Sequence, residues 1–343
     1  MQDLVTIGIP VYRAVDFVEA SMMSALNQTY PHLEFLVIDD CGGDGTMDVI
    51  FRLQMTHPRG TDIRILRNDQ NSGPGYSRNR IIEEARGNYL YFMDSDDIIE
   101  PNTIEILINA IKQNRAQIAY ASYEIINTQN NNPKEVHQKD AVLFEKKGDL
   151  ALYAFKNVNI FHVSVCNFLV DLSFLRDTGV RFLHTSFWED MAFTTELVQE
   201  IDRAVLLSDI TYHYLRRTGS LSHYQDREVF DKNEISKNVS VIDYLKKKCK
   251  QQKYFSYIPY LCYNLELNSF YIVCHVLKYA GKIHPSFTSQ ELQLILQHPL
   301  PFYQIIRFKR KKTSNLALWL LGKIPTWLFV PSIILMGKLR KAL

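Results

Sequence analysis

At 343 residues the chain is long enough for two domains, and with 46% hydrophobic and 22% charged residues it is not a disordered polymer. The net charge of +2 hides an asymmetry: residues 301–343 hold nine Lys or Arg and no Asp or Glu, which leaves the first 300 at −7. An acidic body excludes a general nucleic-acid binder, which needs a basic face on its folded part.

The first half alternates strand and helix patterns. LVTIGI (4–9) is a β-branched run ended by Pro10, and residues 15–28 space Val18, Met22, Ala25 and Leu26 as one face of a helix. LEFLVI (33–38) is a second strand, and Thr46 opens a second helix. DIRIL (62–66) is a third strand, a helix lies between Gly73 and Gly87, and NYLYFM (88–93) is a fourth strand. Pro101 begins a fourth helix at the favoured first position, and QIAYASYEII (117–126) is a fifth strand. This alternation with buried strands predicts an α/β, Rossmann-like sheet with helices on both faces, whose ligands sit beyond the carboxyl ends of the strands. Residues 127–140 read as a polar loop, followed by short strands, a helix from about Glu189 and a strand near 204–215. From Asp226 the chain turns helical: Ile235, Val239, Ile242, Leu245 and Cys249 mark one helix face, and 254–280 reads as another helix. The expected divisions are 1–225 catalytic, 226–299 a helical extension and 300–343 a basic amphipathic tail.

The chemistry-bearing residues fall at strand ends. Pro10-Val11-Tyr12 follows the first strand and Asp39-Asp40 the second, before a turn Gly42-Gly43-Asp44-Gly45. Asn71-Ser72-Gly73 and Arg78-Asn79 follow the third, and Asp94-Ser95-Asp96-Asp97 the fourth. Three carboxylates within four residues repel unless solvated or neutralised by a cation. Hard oxygen ligands with open positions suit Mg²⁺ or Mn²⁺ shared with phosphates. Such an ion neutralises a diphosphate as it leaves. Asp40 can accept the N–H of a pyrimidine base, and Arg78 offers a planar fork for phosphate or ribose oxygens. Taken singly each has a plainer reading: a solvated turn for the aspartates, helix capping for Asp39-Asp40, an ion pair for Arg78.

Together, TIGIPVYR, LVIDDCGGDGT, NSGPGYSRN and GNYLYFMDSDD resemble the family 2 glycosyltransferases of the GT-A fold, over roughly residues 4–225. The resemblance implies an inverting enzyme using a nucleotide-diphosphate sugar, a UDP-sugar above all. It places Pro10, Val11 and Tyr12 along the nucleoside, Asp40 on the base and Arg78 near the nucleotide. Asp94-Ser95-Asp96 matches the metal-binding DxD, with Asp96 the direct ligand and Asp94 by the ribose and metal. FWEDMAF matches the acceptor-side motif, with Asp190 as base and Trp188 and Glu189 beside the acceptor. The plainer reading of Glu189-Asp190 is acidity at a helix start. In TYHYLRRTGSLSH, Arg217, Ser220, Ser222 and His223 are candidates to close over the diphosphate, ahead of Arg216. The sequence departs from the family pattern at Arg13, Cys41-Gly42-Gly43 and Ser77, which touches the fit of base and ribose but removes no carboxylate. The QxxRW motif of processive synthases is absent, so one sugar per encounter is expected.

The tail joins PFYQIIRFKRKK to LALWLLGKIPTWLFVPSIILMGKLRKAL. Lys323, Pro325 and Pro331 interrupt it, so it reads as two short helices at an anionic membrane surface, engaging Trp319, Leu320, Trp327 and Phe329, and not as a span. The other possibility is that it packs on protein. Scattered, odd-numbered cysteines and an N-terminus without a secretory signal set the expectation of a cytoplasmic enzyme at the inner face of the cell membrane. Its expected partners are a nucleotide-sugar donor and a glycan or lipid-linked glycan acceptor, with no nucleic acid; a homo-oligomer is left open. Two other readings stand beside it. One is a non-catalytic sugar-nucleotide or glycan-binding module on the same fold. The other is a sugar nucleotidyltransferase, which expects a Gly-rich basic loop where PVYRAVDF has no glycine.

Overall fold

The computed structural model describes residues 3–128, 134–158, 165–185, 188–217, 230–251 and 255–342. They divide into two compact units, Met1–Leu150 with Asn159–His223, and Ala151–Val158 with Tyr224–Leu343.

In the first unit β1 (Val5–Val11), α1 (Val18–Leu26), β2 (Leu33–Asp39), α2 (Thr46–Thr56) and β3 (Ile63–Arg67) follow one another, then α3 (Pro74–Glu84) returns the chain to β4 (Tyr89–Phe92). Phe35, Leu36, Val37 and Ile38 are all fully buried, which is why β2 reads as one apolar run and not as an alternation. After β4 come β5 (Ile98–Ile99), α4 (Thr103–Asn114), β6 (Ile118–Asn127), β7 (Glu135–His137) and β8 (Val142–Phe144); α5 (Asp149–Lys156) then belongs from Ala151 on to the second unit, and the chain returns to the first at Asn159. β9 (Phe168–Asp171), α6 (Leu172–Thr178), α7 (Glu189–Glu200) and β10 (Ala204–Arg216) complete the unit. The sheet order is β3-β2-β1-β4-β9-β6-β10-β5, with β7 beside β6 and β8 beside β10. Strands β1 to β4 are mutually parallel where they pair; β9 runs antiparallel to both β4 and β6, so the sheet is mixed. The order reverses between β1 and β4, and that is where a doubly wound sheet opens a crevice for a ligand. Gly8 keeps α3 close to β1: a Cβ there would collide with Ile81 Cγ2.

Two local expectations shift. α4 starts at Thr103, because Pro101 sits in the preceding turn, where its carbonyl accepts from Thr29 N–H at 2.8 Å. The supposed polar loop 127–140 contains β7, because Tyr123, Glu124 and Ile125 of β6 pair with it.

The second unit holds β11 (Phe230–Asp231), α8 (Lys232–Gln251), α9 (Ile258–Lys278), β12 (Ile283–His284), α10 (Ser289–Ile295), α11 (Phe302–Ile305), α12 (Lys312–Leu321) and α13 (Thr326–Leu339). α8 packs on α9 through Ile235, Val241, Ile242, Leu245 and Cys249, whereas Val239 is only half-buried. Inside this core Lys246 Nζ meets the Glu266 carboxylate at 2.7 Å and donates to the Ile295 and Gln297 carbonyls at 2.9 and 3.1 Å. All five cysteines are free thiols.

The basic tail is folded on this unit: α12 packs against α9, and α13 against α9 and α10. Phe329 and Ile333 are fully buried there, so Phe329 is a core residue and not one available to a membrane. Trp319 is half-buried against Phe302, with ring centroids 5.4 Å apart. Pro331 lies within α13 and does not end it; the break falls at 322–325, before the Pro325 N-cap. Leu320, Trp327, Leu335 and Leu339 remain exposed. Among the described residues no helix is long and apolar enough to cross a membrane.

Candidate active site

The crevice is a cavity of about 900 Å³ in the first unit. Pro10, Val11, Tyr12, Asp40, Arg78, Asp94, Ser95, Asp96, Glu189, Asp190 and Arg217 all line it. Trp188 is not among the lining residues. Ser220, Ser222 and His223 lie outside the described residues.

The strand ends are stitched before any ligand arrives. Asp40 N–H donates to the Val11 carbonyl at 2.9 Å, which joins the ends of β2 and β1. The Asp40 carboxylate accepts from Asn68 Nδ2 at 2.7 Å, Ser72 N–H at 2.8 Å and Gly73 N–H at 2.8 Å. Two of these donors fall on Oδ1 and one on Oδ2, so a carboxylate with about four lone-pair positions keeps room for one further N–H. Asn68 also donates to Ser77 Oγ at 3.0 Å, which gives the buried Ser77 hydroxyl its partner. Tyr12 is half-exposed at the mouth, with the Arg13 guanidinium 5.2 Å from its ring centroid.

Arg78 is buried and its two terminal nitrogens are occupied. Nη2 donates to Asp94 Oδ1 at 2.8 Å and Nη1 to Glu189 Oε1 at 2.9 Å. The phosphate fork expected of Arg78 is therefore a clamp between two carboxylates. Burial works against its charge, but the Asp94 and Glu189 carboxylates outweigh that and raise its pKa. Gly75, one turn earlier, has no Cβ to press on the Leu183 carbonyl and the Glu189 side chain, so α3 can come this close to the start of α7.

The aspartate cluster is not a three-way repulsion. Asp97 turns inward, 1% exposed, and accepts from Tyr212 Oη–H at 2.6 Å and Leu215 N–H at 2.9 Å; it ties the turn to β10. Burial, with the Asp94 charge beside it, pushes its pKa up to about 7. Asp94 is neutralised by Arg78, and Asp96, more than a third exposed, meets the Arg217 guanidinium. Burial lowers the Arg217 pKa, and its guanidinium carbon lies 3.6 Å from the Phe17 ring centroid.

Asp190 is in the first turn of α7, after Trp188 in a left-handed conformation (φ 62°). Among the described residues its Oδ1 accepts from the neighbouring Met191 N–H, at 2.7 Å. Burial first, then the Glu189 charge, pushes its carboxyl up to about 6, while Arg78 pulls the other way. A carboxylate poised there is basic enough to take a proton yet ionised at neutral pH.

No group of three or more His, Cys, Asp or Glu converges as a metal cage among the described residues. A divalent ion bound together with a substrate's phosphates needs only one or two protein carboxylates, water filling its other positions. The carboxylates of the cluster that line the cavity, where an ion could reach them, are Asp94 and Asp96; Asp97 is turned inward.

The far wall of the cavity escaped the sequence reading. β6, β10, the segment after β7 and the residues just before β9 supply Tyr123, Lys139, Cys166, Asn167, Tyr212 and Tyr214; Arg216, ranked behind Arg217 on the sequence, lines the same cavity. Period-two placement on β6 and β10 was the only signal available for the tyrosines, and it does not separate a cavity wall from a core.

Residues 6–179, just over half of the chain, match the sequence profile of Glycosyl transferase family 2. The chain is 29% identical over 144 residues to TuaG of Bacillus subtilis, named for teichuronic acid biosynthesis, covering 41% of this chain and 56% of that one. It is 36% identical over 124 residues to WfgD of Escherichia coli, named as a UDP-Glc:alpha-D-GlcNAc-diphosphoundecaprenol beta-1,3-glucosyltransferase, covering 36% and 47%. The matches thus span about half the length of these two relatives. The crystal structure of S. aureus TarS 1-349 in complex with UDP superposes with a TM-score of 0.68 at 16% identity, over 94% of this chain and 90% of that one, which establishes the GT-A fold. The four strand-end motifs and the profile match lead to one conclusion: this chain belongs to glycosyl transferase family 2.

Proposed function

We propose that the chain is an inverting glycosyltransferase. It moves one sugar per encounter from a UDP-sugar to a hydroxyl of a growing bacterial surface polysaccharide or lipid-linked oligosaccharide. The observation that supports this best is the convergence of Asp40, Asp94, Asp96 and Asp190 on one cavity. Asp40 and Tyr12 receive the nucleoside. Asp190 takes the proton of the acceptor hydroxyl as its oxygen attacks the anomeric carbon from the face opposite the diphosphate, and direct displacement inverts that centre. Bound by Asp96 with Asp94, Mn²⁺ or Mg²⁺ supplies positive charge where the diphosphate gathers negative charge. Arg78 keeps Asp94 and Glu189 in place, and Arg217 is positioned beside Asp96 to meet the phosphates. The relatives' names, which mention teichuronic acid and a diphosphoundecaprenol-linked sugar, support the acceptor class.

A membrane position at the cytoplasmic face belongs to this reading. Residues 301–343 are purely basic among their charges, and Leu320, Trp327, Leu335 and Leu339 are exposed beside them. Such a surface suits peripheral contact with anionic lipid.

Calorimetric titration with UDP tests the donor assignment. UDP should bind in Mn²⁺, and EDTA or Asp96→Ala should each weaken it at least ~10-fold, as loss of a charge-assisted contact does. A protein that ignores UDP in Mn²⁺, or binds it equally well without Asp96, is not this enzyme.

A further inference from the structure

The far wall of the cavity holds a buried cation that the donor chemistry leaves unused. Lys139 is 6% exposed and lines the cavity. Its backbone N–H donates to Ser122 Oγ at 2.8 Å and its Nζ to the Ala121 carbonyl at 3.0 Å, while the ammonium sits 5.1 Å from the Tyr123 ring centroid. No carboxylate pairs with it among the described residues. The nearest candidate by sequence, Glu124 on β6, is already held by Lys134 at 2.6 Å and His213 at 2.8 Å. An ammonium has three donors, and one carbonyl and one ring do not satisfy a buried charge. Burial alone accordingly pulls its pKa down to about 8. Arg216, on β10, adds a second cation to the same wall; among the described residues its guanidinium is tied through Nη1 to the exposed Glu135 at 2.9 Å.

The position across the sheet says which substrate this wall meets. Asp40 and Tyr12 belong to the ends of β2 and β1, and Asp94-Asp96 to the end of β4. β6, which carries Ala121 and Ser122, lies three strands from β1, about 14 Å at the usual spacing. With the nucleoside over β1 and β2 and the diphosphate at Asp96, the β6–β10 side is where an acceptor approaches a displacement that is in line with the leaving phosphate.

We propose that Lys139, seconded by Arg216, selects an acceptor that carries a negative charge, a phosphate or a carboxylate, near the hydroxyl that is glycosylated. This rests on the glycosyltransferase reading above, and it adds a substrate class that the nucleotide-side motifs do not imply. The anion supplies the counter-charge that the fold withholds from Lys139. A phosphodiester-linked polyol and a uronic-acid-bearing glycan both offer that chemistry.

The test uses the full chain saturated with UDP and Mn²⁺, so that the diphosphate position is filled. Four probes are titrated calorimetrically: ribitol 5-phosphate against ribitol, and galacturonic acid against galactose. At least one anionic probe should bind ~10-fold or more tightly than its neutral counterpart, the scale of a charge-assisted hydrogen bond. Preference for the phosphate or for the carboxylate identifies the source of the charge. Lys139→Met, which keeps volume and removes the buried charge, should abolish the discrimination, and Lys139→Arg should keep part of it. Equal binding of anionic and neutral probes overturns the proposal. So does a Lys139→Met protein that still discriminates, or one whose UDP affinity falls as far as its anion affinity, which would put the lysine on the donor side. Failure to bind UDP at all is a different result: it strikes the glycosyltransferase reading itself.

Discussion

Asp190 shows how the site tunes one carboxylate by its neighbours. Burial and the Glu189 charge raise its pKa to about 6, and the Arg78 charge restrains it. A base must be ionised to accept a proton, so turnover should be full above that value and fall as pH drops through about 6. Glu189→Gln removes a raising charge and frees Arg78 from one of its two partners, so both effects move the acid limb to lower pH. A pH–rate profile of the two proteins checks this; an acid limb that stays put or rises in Glu189→Gln would show that Asp190 is not the titrating group. The sequence pointed to Asp190 through FWEDMAF and to Asp96 through DSDD, and the structure brings both to the cavity. The partnership of Arg78 was not, because Glu189 is 111 positions away and a guanidinium looks the same whether it awaits phosphate or carboxylate. Lys139 was hidden for a similar reason: it follows a run of polar residues that reads as solvated, and only pairing against β6 buries it.

At the scale of elements, the site depends on α3 lying flat on β1 so that Arg78 reaches both carboxylates. Gly8 permits that approach. Gly8→Ala should cost about 1–3 kcal/mol, the usual penalty of overpacking, with a fall in turnover as α3 is displaced. Trimming the opposing side chain in Gly8→Ala/Ile81→Ala should make the double variant less destabilised than the sum of the singles, as expected for residues in contact. Denaturant unfolding of the four proteins measures this, and simple additivity would show that the two positions do not press on each other. β1, β2 and β4 were readable because burial makes apolar stretches of them with polar motifs at their ends, whereas β3, at the sheet edge with only Ile63 buried, was readable through its isoleucines and leucine. β5, β7, β8 and β9 have two to four residues each, too short for any period to show. Their places are set by pairing with β10, β6 and β4, partners distant in sequence.

The molecule as a whole joins a unit of GT-A fold to a helical one that ends in a basic segment. The sequence showed the charge bias and the tryptophans of the tail, but not that Phe329 would be drawn into a helical core while Trp327 stays out. Flotation with anionic and neutral liposomes tests the surface. The full chain should float with anionic vesicles, and added salt should weaken that, since each engaged basic residue is worth about 1 kcal/mol. Trp327→Glu should reduce it. Equal flotation with neutral vesicles, or none with anionic ones, would contradict a charged peripheral contact. The central claim, that this chain transfers sugars with Asp190 as base, is tested most directly by UDP release from a panel of UDP-sugars in Mn²⁺ by the wild type and by Asp190→Asn. At least one UDP-sugar should be turned over, EDTA should stop it, and Asp190→Asn should be slower by at least ~10²-fold while still binding UDP. Turnover of no UDP-sugar, or an Asp190→Asn protein as fast as the wild type, would contradict the account.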